Sequence, residues 1–307
     1  MKNKKLHTPV LFIVFNREDT VRQVFEEIRK AKPEQLFLAS DGARTDKPGE
    51  AEKCESVRQF IMNSIDWDCD VKTLFQDKNL GCGIGVKTAI DWFFENVEEG
   101  IILEDDCLPH QDFFLFCQEL LEYYRNDTRI SCISGNNFQS EKIYDDNSYY
   151  FSRYSNTWGW ASWRRAWNLF DFGMKTFPEF KKKKYIMQLF PCKYVQKRWM
   201  EIFEKVYNKD SSFSAWDIQW TYAAFSNNIL SISPQVNMVS NIGIECTHEM
   251  TSALMNVPRF GIDQIKHPSI MIINTVADQI LFDKAIADVN VLVKIYRKIR
   301  KLFIKKL

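Results

Sequence analysis

The sequence predicts an α/β fold with a mostly parallel central sheet flanked by helices, and three observations lead there. Short, continuous apolar runs alternate with helix-patterned stretches through residues 9–130. The runs lack the alternating polarity of a half-exposed strand, as expected of strands covered on both faces. Polar residues gather where the runs end, and in such sheets ligands bind beyond the carboxyl ends of the strands.

Val10–Phe15 is the first run, followed by Asn16-Arg17-Glu18-Asp19 and a helical pattern from Thr20 to Lys30. Glu34–Ala39 reads as the second strand and ends at Ser40-Asp41-Gly42; residues 49–64 have helical periodicity. Val71–Phe75 is the third strand. The glycine-rich turn Asn79–Gly85 leads into a helix over Val86–Asn96. Gly100–Leu103 is the fourth strand, with a helix over Asp112–Arg125. Beyond residue 130 the pattern loosens. A strand is expected at Ile130–Ser134, helices over 185–208 and 217–227, and short strands at Ile229–Ile232 and Gln235–Val239.

Bulk properties fit one globular chain with a substantial core: 307 residues, 45% hydrophobic and 26% charged. A net charge of +1 gives no global field of the kind nucleic acid requires. Eight cysteines without a CxxC pair argue against a zinc or redox motif, and a cytoplasmic protein with reduced thiols is expected. The start of the chain lacks the pattern of a signal peptide, and no segment reaches membrane-spanning length. Val289–Leu307 places Leu292, Ile295, Ile299, Leu302 and Phe303 among seven Lys and Arg at helical spacing. Residues 286–307 therefore read as a basic amphipathic C-terminal helix. It is suited to an anionic membrane surface, or to packing on the domain with its charges solvated.

The most informative segment is Gly100-Ile-Ile-Leu-Glu-Asp-Asp-Cys107, an apolar strand that ends in three acids. Their mutual repulsion is costly unless a cation sits among them. A hard divalent ion, Mn²⁺ or Mg²⁺, binds through one or two carboxylates plus phosphate oxygens, and offsets charge on a departing diphosphate. Asp217, between Trp216 and Trp220, is either a partly desolvated base or the N-cap of the helix it begins. Trp158, Trp160 and Trp163 either stack on an acceptor sugar or cover the sheet.

Leu103-Glu-Asp-Asp-Cys-Leu-Pro-His-Gln-Asp-Phe-Phe114 resembles the acidic metal-binding motif of GT-A fold glycosyltransferases. The likeness is to the N-acetylglucosaminyltransferase I type and its bacterial, glycosyltransferase family 2-like relatives. Phe15-Asn16-Arg17, Ser40-Asp41-Gly42, Asn79–Lys87, Trp158–Trp163 and Trp216–Trp220 resemble further segments of that family in the same order, over about residues 9–250. The resemblance implies a GT-A domain over residues 1–285, with a nucleotide-binding half over about 9–130 and an acceptor half over 131–285. It implies metal-dependent, inverting transfer of a hexosyl or N-acetylhexosaminyl group from a UDP-sugar to a hydroxyl of a glycan or lipid-linked acceptor, in bacterial surface polysaccharide synthesis. Asp106 would ligate the metal, with His248 as a further ligand. Glu104 and Asp105 would bind ribose and donor sugar, and Phe15, Asn16, Arg17, Asp41, Gly83 and Lys87 the nucleotide. Asp217 would be the general base, and Trp158 and Trp160 would meet the acceptor. The expected location is the cytoplasm, with peripheral contact at the inner face of the membrane.

Two readings from other classes stand beside this one. A sugar-phosphate nucleotidyltransferase would carry glycine directly after the first strand, and Asn16–Asp19 has none. A non-catalytic, membrane-associated glycan-binding domain would use the tryptophans and the basic tail, but leaves Glu104–Asp106 and Asp217 without a purpose.

Overall fold

The computed structural model of the chain describes residues 5–139, 142–209, 216–243 and 257–287. The first half is a run of βα units: β1 (Val10–Val14), α1 (Glu18–Ala31), β2 (Gln35–Ser40), α2 (Glu50–Ser64), β3 (Asp70–Phe75), α3 (Cys82–Asn96) and β4 (Glu99–Glu104). Then come β5 (Cys107–Pro109), α4 (Gln111–Tyr123), β6 (Ile130–Ser134), β7 (Tyr149–Ser152), β8 (Trp160–Trp163) and α5 (Arg164–Trp167). The remainder is α6 (Phe177–Lys182), α7 (Ile186–Leu189), α8 (Lys193–Tyr207), α9 (Asp217–Ser226), β9 (Leu230–Pro234), β10 (Val239–Asn241) and α10 (Thr275–Leu281). A π-helical turn over Phe282–Ile286 follows.

Among the described residues, eight strands form one sheet in the order β3-β2-β1-β4-β8-β6-β9-β7. The first four are mutually parallel: Val10 faces Leu36 on one side and Ile101 on the other. The chain then inserts β8 antiparallel between β4 and β6, and β9 runs parallel to β6. β7 closes the far edge antiparallel to β9. β5 and β10 make a separate two-stranded ribbon. This is the Rossmann-like α/β architecture expected, parallel in its first half and mixed in its second.

The apolar pattern explains which face each helix covers. α1 buries Val21, Val24, Phe25 and Ile28 at helical spacing, and these join Phe12, Leu38, Phe113 and Leu120 on one face of the sheet. α3 buries Val86, Ile90 and Phe93 on the other face, with Phe37, Ile102, Trp160 and Trp220. A third cluster, including Tyr154, Phe177, Trp199, Phe203 and Phe225, forms among α6, α8 and α9. A side chain at Gly100 would collide with the Phe93 ring, so α3 packs close to β4 only because this position is glycine.

Several expectations need correction. The helix expected over 185–208 is interrupted at Phe190-Pro191, because proline cannot continue the hydrogen-bond ladder of the preceding turn. The strand expected at Gln235–Val239 lies later, at Val239–Asn241, where β5 supplies its partner. β7 and β8 emerge from the aromatic stretch that gave no strand signal of its own. Among the described residues no helix is long and apolar enough to cross a membrane. The amphipathic segment 289–307 lies outside them.

Candidate active site

Strand direction places the chemistry. The carboxyl ends of β1, β2, β4 and β6 and the start of β8 share one edge of the sheet. At this edge a cleft of about 640 Å³ opens between β1, β2 and the start of α3, within the range of small-molecule sites, roughly 300–1,000 Å³. Its lining includes Phe15, Asn16, Arg17, Asp41, Arg44, Asn79, Glu104 and Asp105.

Arg17 follows β1 and reaches across to the end of β4. Its Nη2 donates to Asp105 Oδ1 and to Asp106 Oδ2 (3.0 Å), and its Nε donates to Asp105 Oδ2 at 3.4 Å. Burial works against the charge on Arg17, but Asp105 and Asp106 outweigh it and raise its pKa further. Asp105 is buried. That burial pushes its carboxyl up to about 6, against the pull of Arg17 and of a hydrogen bond from the Phe15 N–H.

Glu104 carries the strongest signal. Burial, then repulsion from Asp106, Asp105 and Asp217, pushes its carboxyl up to about 8, with Arg17 alone opposing. Cys82, the first residue of α3, keeps an exposed surface, yet crowding by the surrounding protein and by Glu104, Asp217, Asp106 and Asp105 pushes its thiol up. Both responses show that Asp217 belongs electrostatically to this acidic group. It does so because α9 runs back toward the start of β9, which brings its N-terminus to the site edge. Trp216, not Asp217, occupies the N-cap position, so the capping role is not the one observed. Asp217 is the first residue of α9, where the helix dipole favours a carboxylate.

Among the described residues Arg17 is shared by Asp105 and Asp106, so these acids crowd one cation at the end of β4. The donors are oxygens, which suits a hard divalent cation. Asp106 keeps more side-chain exposure than Asp105, 17% against 5%, and is the better placed to take one. Gly243 lies so close that a side chain there would meet Asp106 Oδ2 at 2.8 Å and Arg17 Nη1 at 3.0 Å. Among the described residues no three His, Cys, Asp or Glu side chains form a ready-made metal cage. An ion here would rely on substrate oxygens to complete its coordination.

The remaining expected residues fall in different places. Asp41 lines the cleft, but its carboxylate accepts from the N–H groups of Gly42, Leu80 and Gly81 and from Asn79 Nδ2, all at 2.9–3.1 Å. It therefore holds the glycine-rich loop before α3. Asn16 donates to Glu50 Oε1 at 2.9 Å, and buried Glu50 is paired with Arg44, which keeps its carboxyl down at about 2. Gly83 is buried within α3 and Lys87 is ion-paired with Asp91 one turn on; neither lines the cleft. His248 lies outside the described residues.

Trp160 corrects an expectation. It is fully buried, with Trp216 stacked at 5.6 Å and Trp220 at 5.7 Å, so it is core and has no face to offer an acceptor. Trp158 is only partly buried, set edge-on to Phe138 at 5.0 Å. The sequence reading missed Arg44, Glu50 and Cys82. Glu50 looks like any acid in a first helical turn, and only the turn connecting β2 to α2 brings Arg44 onto it.

No family model and no curated protein matches this chain. Solved structures do. A mannosyltransferase from Pyrobaculum calidifontis, in complex with GDP-Man and Mn²⁺, matches at 12% identity and a TM-score of 0.37 over 53% of this chain and 46% of its own. Mouse xyloside xylosyltransferase 1 matches at 12% identity and a TM-score of 0.36, over 72% and 82% of the two chains. A UDP-glucose pyrophosphorylase complexed with UDP-glucose matches at 13% identity and a TM-score of 0.28, over 48% and 62%. The chain thus spans about half the length of the mannosyltransferase. At these scores the likenesses assign it no activity.

Proposed function

We propose that the protein is a metal-dependent, inverting glycosyltransferase that moves a sugar from a UDP-sugar to a hydroxyl of a glycan or lipid-linked acceptor. The observation that carries this reading is the acidic group at the end of β4, where Glu104 and Asp105 line the cleft, Asp106 adjoins them, and Asp217 is close enough to repel Glu104. A site that expels a nucleoside diphosphate has a use for such a group, because its carboxylates draw a cation that then meets the phosphates. The Leu103–Phe114 motif and its companion segments supply the family resemblance.

The cleft would hold the nucleotide, with Phe15, Asn16 and Arg17 at its wall and Asp41 acting through the loop it holds. Asp106 would hold Mn²⁺ or Mg²⁺, which would offset charge on the leaving diphosphate. Glu104 and Asp105 would hydrogen-bond the donor. In the transfer step the acceptor oxygen bonds to the anomeric carbon as the bond to the diphosphate oxygen breaks. The hydroxyl proton passes to Asp217. Buried carboxylates at a cleft are where such work is found. The assignment extends to surface polysaccharide synthesis at the inner face of a bacterial membrane, with 289–307 as the membrane contact, and the resemblance and the basic tail support that extension.

Release of UDP from UDP-sugars in the presence of Mn²⁺ and a panel of glycan acceptors tests the reading. Asp217→Asn should lower turnover by about 10²–10⁴-fold, the usual worth of a general base, while UDP affinity holds. Near-normal transfer by this variant would remove Asp217 from the mechanism.

A further inference from the structure

We infer that Asn136 and Asn156, together with Trp158, form a subsite for a neutral sugar beside the donor cleft. This inference rests on the transferase reading and adds the acceptor-side contacts that it lacks. Asn136 follows β6 at the site edge and is 1% exposed, yet neither its side-chain oxygen nor its nitrogen has a hydrogen-bond partner. The side-chain nitrogen of Asn156 is likewise buried and unpartnered. A buried amide left unpaired is costly and rare in a folded protein, which marks these groups as awaiting a partner.

Backbone register places them. Ile102 of β4 and Ser134 of β6 both pair with Trp160 of β8. The Gly135 N–H bond to the Gly159 carbonyl (2.7 Å) carries the β6–β8 pairing one residue further, to where the positive φ of Gly159 (61°) turns the chain out of strand geometry. Two interstrand spacings separate β4 from β6 across β8, about 10 Å between backbones. A side chain at Gly135 would point at Phe113 and Val239 on one face of the sheet. Asn136 therefore turns to the other, where Cys132 lies with Trp160 and Trp216 at the start of α9. The Asn156 N–H donates to Ser134 Oγ at 3.1 Å, which ties that residue to the same strand end.

The chemistry selects the ligand class. An amide offers an acceptor oxygen and two N–H donors, which match the paired donor and acceptor character of neighbouring sugar hydroxyls. Trp158, only partly buried, supplies the apolar surface a sugar ring packs against. None of the three side chains carries charge, so the subsite suits a neutral ring and not a phosphate. A sugar held here lies beyond β8 from the end of β4, on the opposite side of β4 from the cleft between β1 and β2.

The test is saturation-transfer NMR with methyl glycosides of glucose, galactose, mannose and N-acetylglucosamine, with and without UDP and Mn²⁺. The wild-type protein should bind at least one of them, and Asn136→Ala should weaken that binding about tenfold while UDP–Mn²⁺ affinity stays as in wild type. Asn136→Ser and Asn156→Ala should each lose several-fold, and they decide the matter if Asn136→Ala does not fold. Two results overturn the subsite: no glycoside bound by wild type, or wild-type glycoside binding in these variants, in which case the amides are core groups met by an internal water. Loss of the transferase reading itself would show separately, as wild-type protein that binds a glycoside but no UDP.

Discussion

The two halves of the sheet reach the same edge by different means. In the first, β1–β4 are parallel, each crossover is a helix, and every strand delivers polar residues to the cleft. In the second, β8 enters antiparallel between β4 and β6, and the edge is furnished by the start of one strand, the end of another and the N-terminus of α9. The first half has its polar groups paired: Arg17 with two aspartates, Arg44 with Glu50, Asp41 with a loop. The second has Asn136 unpaired, and its Asp217 repels Glu104 at the end of β4. On the proposed function, a preorganised nucleotide wall would face an acceptor side whose polar groups substrate completes.

If this division is right, substitutions should separate cleanly. The largest effect on ligand binding is expected at Arg17. Removing it as Arg17→Met leaves Asp105 and Asp106 uncompensated, and the loss of stability should be about 1–3 kcal/mol, less than for a fully buried pair because the Arg17 side chain is 38% exposed. Chemical denaturation reads this, and binding of UDP should fall with it. Trp160→Ala should cost about 3–5 kcal/mol by leaving a cavity, but UDP affinity of the folded protein should stay within about twofold, since Trp160 does not itself line the cleft. Impaired UDP binding in Trp160→Ala at full folding would break the division.

A smaller effect is expected with pH. Glu104 is pushed from an ordinary 4.5 up to about 8, so the folded protein holds that proton more tightly than the unfolded chain. Stability from this group is therefore full below the unfolded value and is lost as pH rises through the folded one. Asp105 and Asp278, each near 6, have largely ionised by about pH 7, which leaves the window above it to Glu104. The melting temperature without metal should fall by a few degrees between about pH 7 and 8.5, and Glu104→Gln should flatten the slope. A wild-type protein with no slope would show the acids to be less crowded than described. The smallest effect is expected at Gly85, where a methyl group would sit 3.2 Å from Asp41 Oδ2. Gly85→Ala should cost UDP affinity a few-fold, on the order of 1 kcal/mol, by shifting the carboxylate that holds the loop.

The same contrast explains what was legible in the sequence. β1 to β4 and their helices are read correctly because each βα unit is local: an apolar run, a turn and a helical stripe within about thirty residues. Arg17, Asp41 and Glu104–Asp106 follow from those strand ends. β7 and β8 were missed because their partners, β9 and the pair β4 and β6, lie far away in sequence, and bulky aromatics suit a strand and a core helix alike. Trp160 was misplaced for the same reason. Asn136 carries no signal in a single sequence, since an unpaired amide is visible only once its surroundings are built.

The central claim is that Glu104–Asp106 and the adjoining cleft take a nucleoside diphosphate together with a divalent cation. Calorimetric titration of UDP into the protein with and without Mn²⁺, repeated on Asp106→Ala, tests it most directly. The account predicts binding that requires Mn²⁺ and is lost in Asp106→Ala. Absence of UDP binding under every condition, or metal-independent binding unchanged in the variant, would contradict it.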